Sequence, residues 1–156
     1  MKIINDLQAT RERTLAYFDL PEEHLNKTYG PGKWTIRQIL NHLTDADTVL
    51  YERIRRGIAN PAQVVWGFDP DRWAEHLDYK NFPLVINKAI YQAVRNGVIY
   101  LAERFYDSHG NNQYVHSETG LRTVKEEFDK VVWHNERHLQ QIEQALRSNP
   151  TTFLKM

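Results

Sequence analysis

The 156-residue chain contains no cysteine, which excludes disulfides, thiolate metal ligands and a cysteine nucleophile. It has no run near the ~18 uninterrupted apolar residues of a membrane-spanning helix. The opening Met1-Lys-Ile-Ile-Asn-Asp6 has no secretory apolar stretch. Neither sign of charge dominates. Twenty basic residues face twenty acidic ones, and that balance argues against a nucleic acid partner. The remainder, 41% hydrophobic and 26% charged, is ordinary for a globular protein. The length fits one domain over residues 1–156 with a full core, and the expected location is cytoplasmic.

Against that plain background stands Lys130-Val-Val-Trp-His134-Asn-Glu-Arg-His138-Leu-Gln-Gln-Ile142. Histidines four apart on a helix lie one above the other, about 5–6 Å between Cβ atoms, close enough to grip one metal ion. A third ligand is expected from His42, in Gln38-Ile-Leu-Asn-His42-Leu-Thr-Asp45. The pair is not the zinc-protease signature, because Asn135 stands where that motif has its general-base Glu. Glu136, at about 100° per residue, points away from the two imidazoles. The Glu-x-x-His of di-iron bundles is absent.

The spacing of Ile3, Ile4, Leu7, Thr14, Leu15 and Phe18 predicts a first helix, stopped by Leu20-Pro21. Gly30-Pro-Gly32 breaks the chain again, and Thr35-Ile-Arg-Gln38 reads as a capping box opening a second helix. That helix carries a stripe of Ile36, Ile39, Leu40, Leu43, Ala46, Leu50 and Ile54 and ends at Gly57. Arg53, Arg55 and Arg56 near its end read as complement to the helix dipole. Residues 58–82 form a long link rich in aromatics (Trp66, Phe68, Trp73), with a short helix over Asp71–His76; it reads either as a lid or as plain core cover.

A third helix is expected from about Pro83 to Phe105, with its stripe at Val85/Ile86, Ala89/Ile90, Ala93/Val94, Gly97/Val98, Leu101 and Phe105. A polar link holding His109 and His116 leads to a second capping box, Thr123-Val-Lys-Glu126, and a fourth helix to about Arg147. Pro150 ends any helix, and the tail beyond is expected to be loosely held. Four amphipathic helices predict an all-α four-helix bundle. If His42 is to meet His134 and His138, helices two and four must be antiparallel. The short third link makes helices three and four antiparallel as well, so the 58–82 crossover joins two parallel helices, giving an up-down-down-up order and no sheet.

Taken together, Gly32-Lys-Trp34-Thr35-Ile-Arg-Gln38-Ile-Leu-Asn-His42-Leu-Thr-Asp45 and Trp133-His134-Asn-Glu-Arg-His138 resemble the DinB-like metalloenzyme superfamily. Within it they are closest to the YfiT branch of bacillithiol-transferase-like proteins. Asp71-Arg-Trp73-Ala-Glu75 and His116-Ser-Glu118-Thr-Gly120 add to the likeness. The resemblance implies an up-down-down-up bundle holding a divalent metal, zinc or nickel, through His42, His134 and His138. It implies an S-transferase using a low-molecular-weight thiol such as bacillithiol as co-substrate, a small-molecule substrate, and a homodimer. Trp34 and Trp133 occupy family positions and are expected to pack.

Three neutral ligands leave a divalent ion an open position, compatible with thiol transfer or with hydrolysis. The rival class is a non-catalytic, metal-stabilised bundle that binds a small molecule. Asp45, three residues after His42, borders the same face. It reads as an acceptor for an imidazole N–H, as a catalytic general base, or as a solvent-facing acid. Glu127 and Gln141 lie on the face of the histidine pair and His116 lies in a nearby link; each is a candidate to line the pocket.

Overall fold

The structure is a computed structural model and describes residues 1–148. The proposed tail stop at Pro150 lies outside the described residues. Six helices are present among the described residues: α1 (Lys2–Tyr17), α2 (Glu22–Leu25), α3 (Ile36–Ala59), α4 (Pro70–His76), α5 (Leu84–Phe105) and α6 (Val124–Arg147). The four long ones, α1, α3, α5 and α6, form the bundle. Both expected capping boxes are made. Thr35 Oγ1 accepts from the Gln38 backbone N–H, Thr123 Oγ1 from that of Glu126, and each N3 side chain returns to the cap backbone.

Side-chain pairs give the sense of each neighbouring pair of helices. Arg11 meets Asn96 and Asp19 meets Lys88, so α1 and α5 run antiparallel. Asn41 meets Asn87 and Asp47 meets Arg95, so α3 and α5 are parallel. At the other face His42 meets His134, and a Cβ on Gly57 would come within 2.5 Å of Val124, so α3 and α6 are antiparallel.

The core has two apolar halves. One gathers Leu7, Leu50, Ile54, Val98, Ala102, Val124 and Phe128; the other gathers Phe18, Ile36, Ile39, Leu43, Tyr91 and Ile142. Between them lies a buried polar layer centred on Arg95. Its Nε donates to Asp47 (2.8 Å), Nη1 to Thr10 Oγ1 (2.8 Å) and the Leu7 carbonyl (3.2 Å), and Nη2 to Asn135 Oδ1 (2.6 Å). One guanidinium on α5 thereby ties all three other helices. Burial alone would lower the pKa of Arg95, but the Asp47 carboxylate and Tyr91 together outweigh it and hold the guanidinium charged.

Two expectations are corrected. The chain is not all-α: β1 (Val64–Val65) pairs parallel with β2 (Gln113–His116), which pairs antiparallel with β3 (Gly120–Thr123). These strands are two to four residues long, too short for periodicity to separate from loop, and β1 exists only because β2 lies beside it. The α5 stripe is also different. The buried residues are Leu84, Asn87, Tyr91, Arg95, Val98, Ile99 and Ala102, while Val85 (77%), Ile86 and Ile90 face outward. The polar layer draws Asn87 and Arg95 inside, and that rotates the helix away from its most apolar side.

The crossover from α3 to α5 is not unstructured. It carries β1 and then α4, capped by Asp69 Oδ1, which accepts from the backbone N–H groups of Asp71 and Arg72. In this way Trp66, Gly67 and Phe68 are laid along the outside of α3 and α6, where the histidines are.

Candidate metal centre

His42 is on the second turn of α3, and His134 and His138 are one turn apart on α6. Ligand-capable atoms of the three lie within 4.8 Å of one another, with His42 Nε2 and His134 Nε2 3.0 Å apart. Aromatic rings surround them. Trp34 is 4.9 Å from His42 and lies nearly parallel to His138 at 6.4 Å, while Phe68 of the crossover is 6.5 Å from His42.

Gln141 Oε1 lies 2.7 Å from His138 Nδ1. An amide oxygen only accepts, so the proton is on Nδ1 and the Nε2 lone pair of His138 is free. His42 Nδ1 and His134 Nδ1 are buried with no partner among the described residues. If the close Nε2 pair were merely a hydrogen bond, the accepting ring would still carry an unpaired buried N–H at Nδ1. Turned instead toward one cation, both Nε2 lone pairs are used and each ring carries its proton on Nδ1. Burial, together with the neighbouring His138, lowers His42 to about 3. Burial and the other two histidines lower His134 to about 2. Burial also lowers His138, against the Gln141 hydrogen bond. All three rings are therefore neutral at physiological pH, the form that binds a metal. Three neutral nitrogen donors without a carboxylate or thiolate fit a borderline divalent ion.

Asp45 is not drawn into this cluster. Its carboxylate accepts a hydrogen bond from the Tyr79 hydroxyl, and no hydrogen bond joins it to His42 Nδ1 among the described residues. Burial raises the Asp45 pKa, opposed by the Tyr79 hydrogen bond. Glu127 is buried beside Arg53, with 4.0 Å between Oε2 and Nη1. Trp133 is not a packing residue: it is 58% exposed, under the guanidinium of Arg137.

A cavity of about 220 Å³ opens beside the imidazoles, lined by His42 and His134, by Phe68 from the crossover, and by Arg53, His116 and Lys130. Sequence reasoning missed Arg53, which reads as a helix-end charge but is almost fully buried. It named His116 without a way to place it. A turn-forming Ser117-Glu-Thr-Gly120 between two β-prone runs was the available signal, since it makes the hairpin that turns His116 inward.

The model of the DinB superfamily matches residues 6–142. This chain belongs to the DinB superfamily. Among its relatives is a protein of Oceanobacillus iheyensis that bears the name "putative metal-dependent hydrolase". It is 30% identical over 130 residues, covering 83% of this chain and 75% of that protein. A protein of the same name from Halalkalibacterium halodurans is 24% identical over 127 residues, covering 81% and 74%. YfiT from Bacillus subtilis, whose solved structure is described as a probable metal-dependent hydrolase with an unusual four-helix bundle topology, matches with a TM-score of 0.85. That match covers 94% of this chain and 85% of YfiT at 22% identity. The DinB chain described here thus shares the YfiT bundle fold.

Proposed function

We propose that this DinB protein is a metal-dependent hydrolase acting on a small molecule, with one divalent ion held by His42, His134 and His138. The observation that carries the reading is the convergence of three neutral imidazoles on α3 and α6 beside a cavity. The hydrolase names of its relatives agree with it. When bound, such an ion supplies Lewis acidity, polarising a substrate carbonyl and lowering the pKa of a water it holds. The chain supplies the rest. Gln141 orients His138, Trp34 packs over His138 and His42, and Phe68 shields the cavity side. Asp45 enters as a positioning residue through Tyr79, whose ring lies edge-on to Trp34 at 6.5 Å.

Thiol transfer is the second reading and differs only in the nucleophile. A chain without cysteine must take its thiol from a co-substrate. Zinc and nickel are the ions the resemblance implies. The same reading takes the bundle as a single domain with up-down-down-up order, supported by the helix senses given above. It also takes the assembly as a homodimer, supported by the exposed Trp66 and Leu121. A monomer mass of 18.5 kDa by light scattering at micromolar concentration would end the dimer.

Elemental analysis of purified protein tests the centre. The parent should carry close to one equivalent of divalent metal. His42→Ala, His134→Ala and His138→Ala should each lose most of it, while His24→Ala and His109→Ala retain it. A His42→Ala protein with full metal would sink the three-histidine site. Assay of the metal-loaded parent on ester, amide and thiol-acceptor panels, with and without added bacillithiol, separates hydrolysis from transfer. Asp45→Asn should keep the metal and lower turnover; unchanged turnover would leave Asp45 without a role in the reaction.

A further inference from the structure

The end of the cavity away from the imidazoles has a chemistry of its own. Arg53, only 3% exposed, donates from Nη2 to the Trp66 carbonyl at 2.8 Å. Its Nη1 stands 4.0 Å from Glu127, beyond hydrogen-bond distance, and its buried Nε has no partner among the described residues. His116 is 5% exposed, and its Nδ1 accepts from the backbone N–H groups of Glu118 (3.1 Å) and Thr119 (3.2 Å). With Nδ1 serving as an acceptor twice over, the ring proton is on Nε2, the nitrogen left for the cavity that His116 lines. Lys130 lines the same wall and makes no ion pair among the described residues.

One carboxylate, Glu118, is also on the wall. It is exposed, and its carboxyl lies over Gly67, where a Cβ would come within 2.6 Å. Glu127 does not line the cavity. The lining therefore presents two cations and one N–H donor against Glu118 at the rim, and Glu127, 4.0 Å behind Arg53, offsets part of that charge, a balance suited to no more than a single negative charge and not to a doubly charged phosphate. Ala46 and Leu50, between His42 and Arg53 along α3, supply apolar wall, and Phe68 adds to it near His42. Lys130 precedes His134 by one turn of α6, about 6 Å of rise.

We propose that Arg53, His116 and Lys130 form a carboxylate subsite, and that the substrate is a small monocarboxylic acid derivative with a short apolar span between its acid group and the bond facing the histidines. The last clause rests on the metal-centre reading; the subsite does not. Hydrogen bonds from charged donors to a carboxylate are short and strong, and Arg53 is already fixed in place by the Trp66 carbonyl. Burial, then Arg53 and Lys130, push the His116 pKa down, so the ring stays a neutral donor.

Calorimetric titration of the protein with hexanoate and with its neutral isostere hexanamide tests the subsite, on metal-loaded protein and after EDTA treatment. The EDTA arm removes direct binding of the carboxylate to an ion. Hexanoate should bind at least tenfold tighter than hexanamide in both arms. Lys130→Gln, at a half-buried position, should abolish the preference, and Lys130→Arg should keep it. Arg53→Gln should abolish it as well, and a misfolded Arg53→Gln leaves the Lys130 pair decisive. Equal binding of the two probes, binding of neither, or a preference that survives Lys130→Gln overturns the subsite. Metal content is read separately. A protein that prefers hexanoate but holds no metal loses only the metal-centre reading, and one that holds metal without the preference loses only this inference.

Discussion

Gln141 settles the tautomer of His138, and no side chain among the described residues performs that service for His42 or His134. Outer partners of this kind commonly contribute 10–100-fold in metal affinity. Gln141→Leu should therefore weaken metal binding by about that factor, read by competition with a chromophoric chelator, and Gln141→Glu should restore it. Equal affinity in Gln141→Leu would remove the side chain from the site. At this scale the sequence was legible wherever helix geometry alone decides neighbours. His134 and His138 are four apart, and Gln141 follows His138 by one turn. It was not legible at Arg53 or His116. Arg53 looks like any helix-end cation until the crossover carbonyl of Trp66 is placed on it. His116 turns inward only because a three-strand sheet forms.

Among the elements, α3 buries the apolar stripe its periodicity predicts, and α3 and α6 both open on the expected capping boxes. The α5 helix does not match. Its outward side, with Val85, Ile86 and Ile90, is more apolar than much of its buried one. Periodicity weighs a residue by its own hydropathy, whereas Arg95 is inside because Asp47, Thr10, Leu7 and Asn135 wait for it. Those partners sit on three other helices, far away in sequence. The contrast is measurable by urea unfolding. Arg95→Ala strands a buried Asp47 carboxylate and should cost about 3–5 kcal/mol. Val85→Ser should stay within about 0.5 kcal/mol. A large cost for Val85→Ser with a small one for Arg95→Ala would restore the apolar stripe as the buried face.

For the whole molecule, the two apolar halves of the core are built without the three imidazoles, so metal-stripped protein should keep its helical circular dichroism. Its stability should instead depend on pH. The histidines are held neutral when folded, with His42 lowered to about 3 and His134 to about 2, and regain a pKa of about 6.5 when unfolded. Between those values the unfolded chain binds more protons. The stabilisation is thus complete above about pH 6.5 and is lost as pH falls toward 3, on the order of several kcal/mol in all. Urea midpoints of EDTA-treated protein across pH 4–8 check this, and a flat profile would mean that the rings are not buried as neutral groups. The His42–His134 contact spans 92 residues of chain. At a synthesis rate of about 5–20 residues per second, His42 leaves the ribosome roughly 5–20 s before its partner exists. During that interval no nascent chain, however much of α1 and α3 has folded, can hold an ion in three imidazoles. On the metal-centre reading, loading is accordingly a late event in the life of each molecule, and a chain cut short before α6 lacks two of the three ligands.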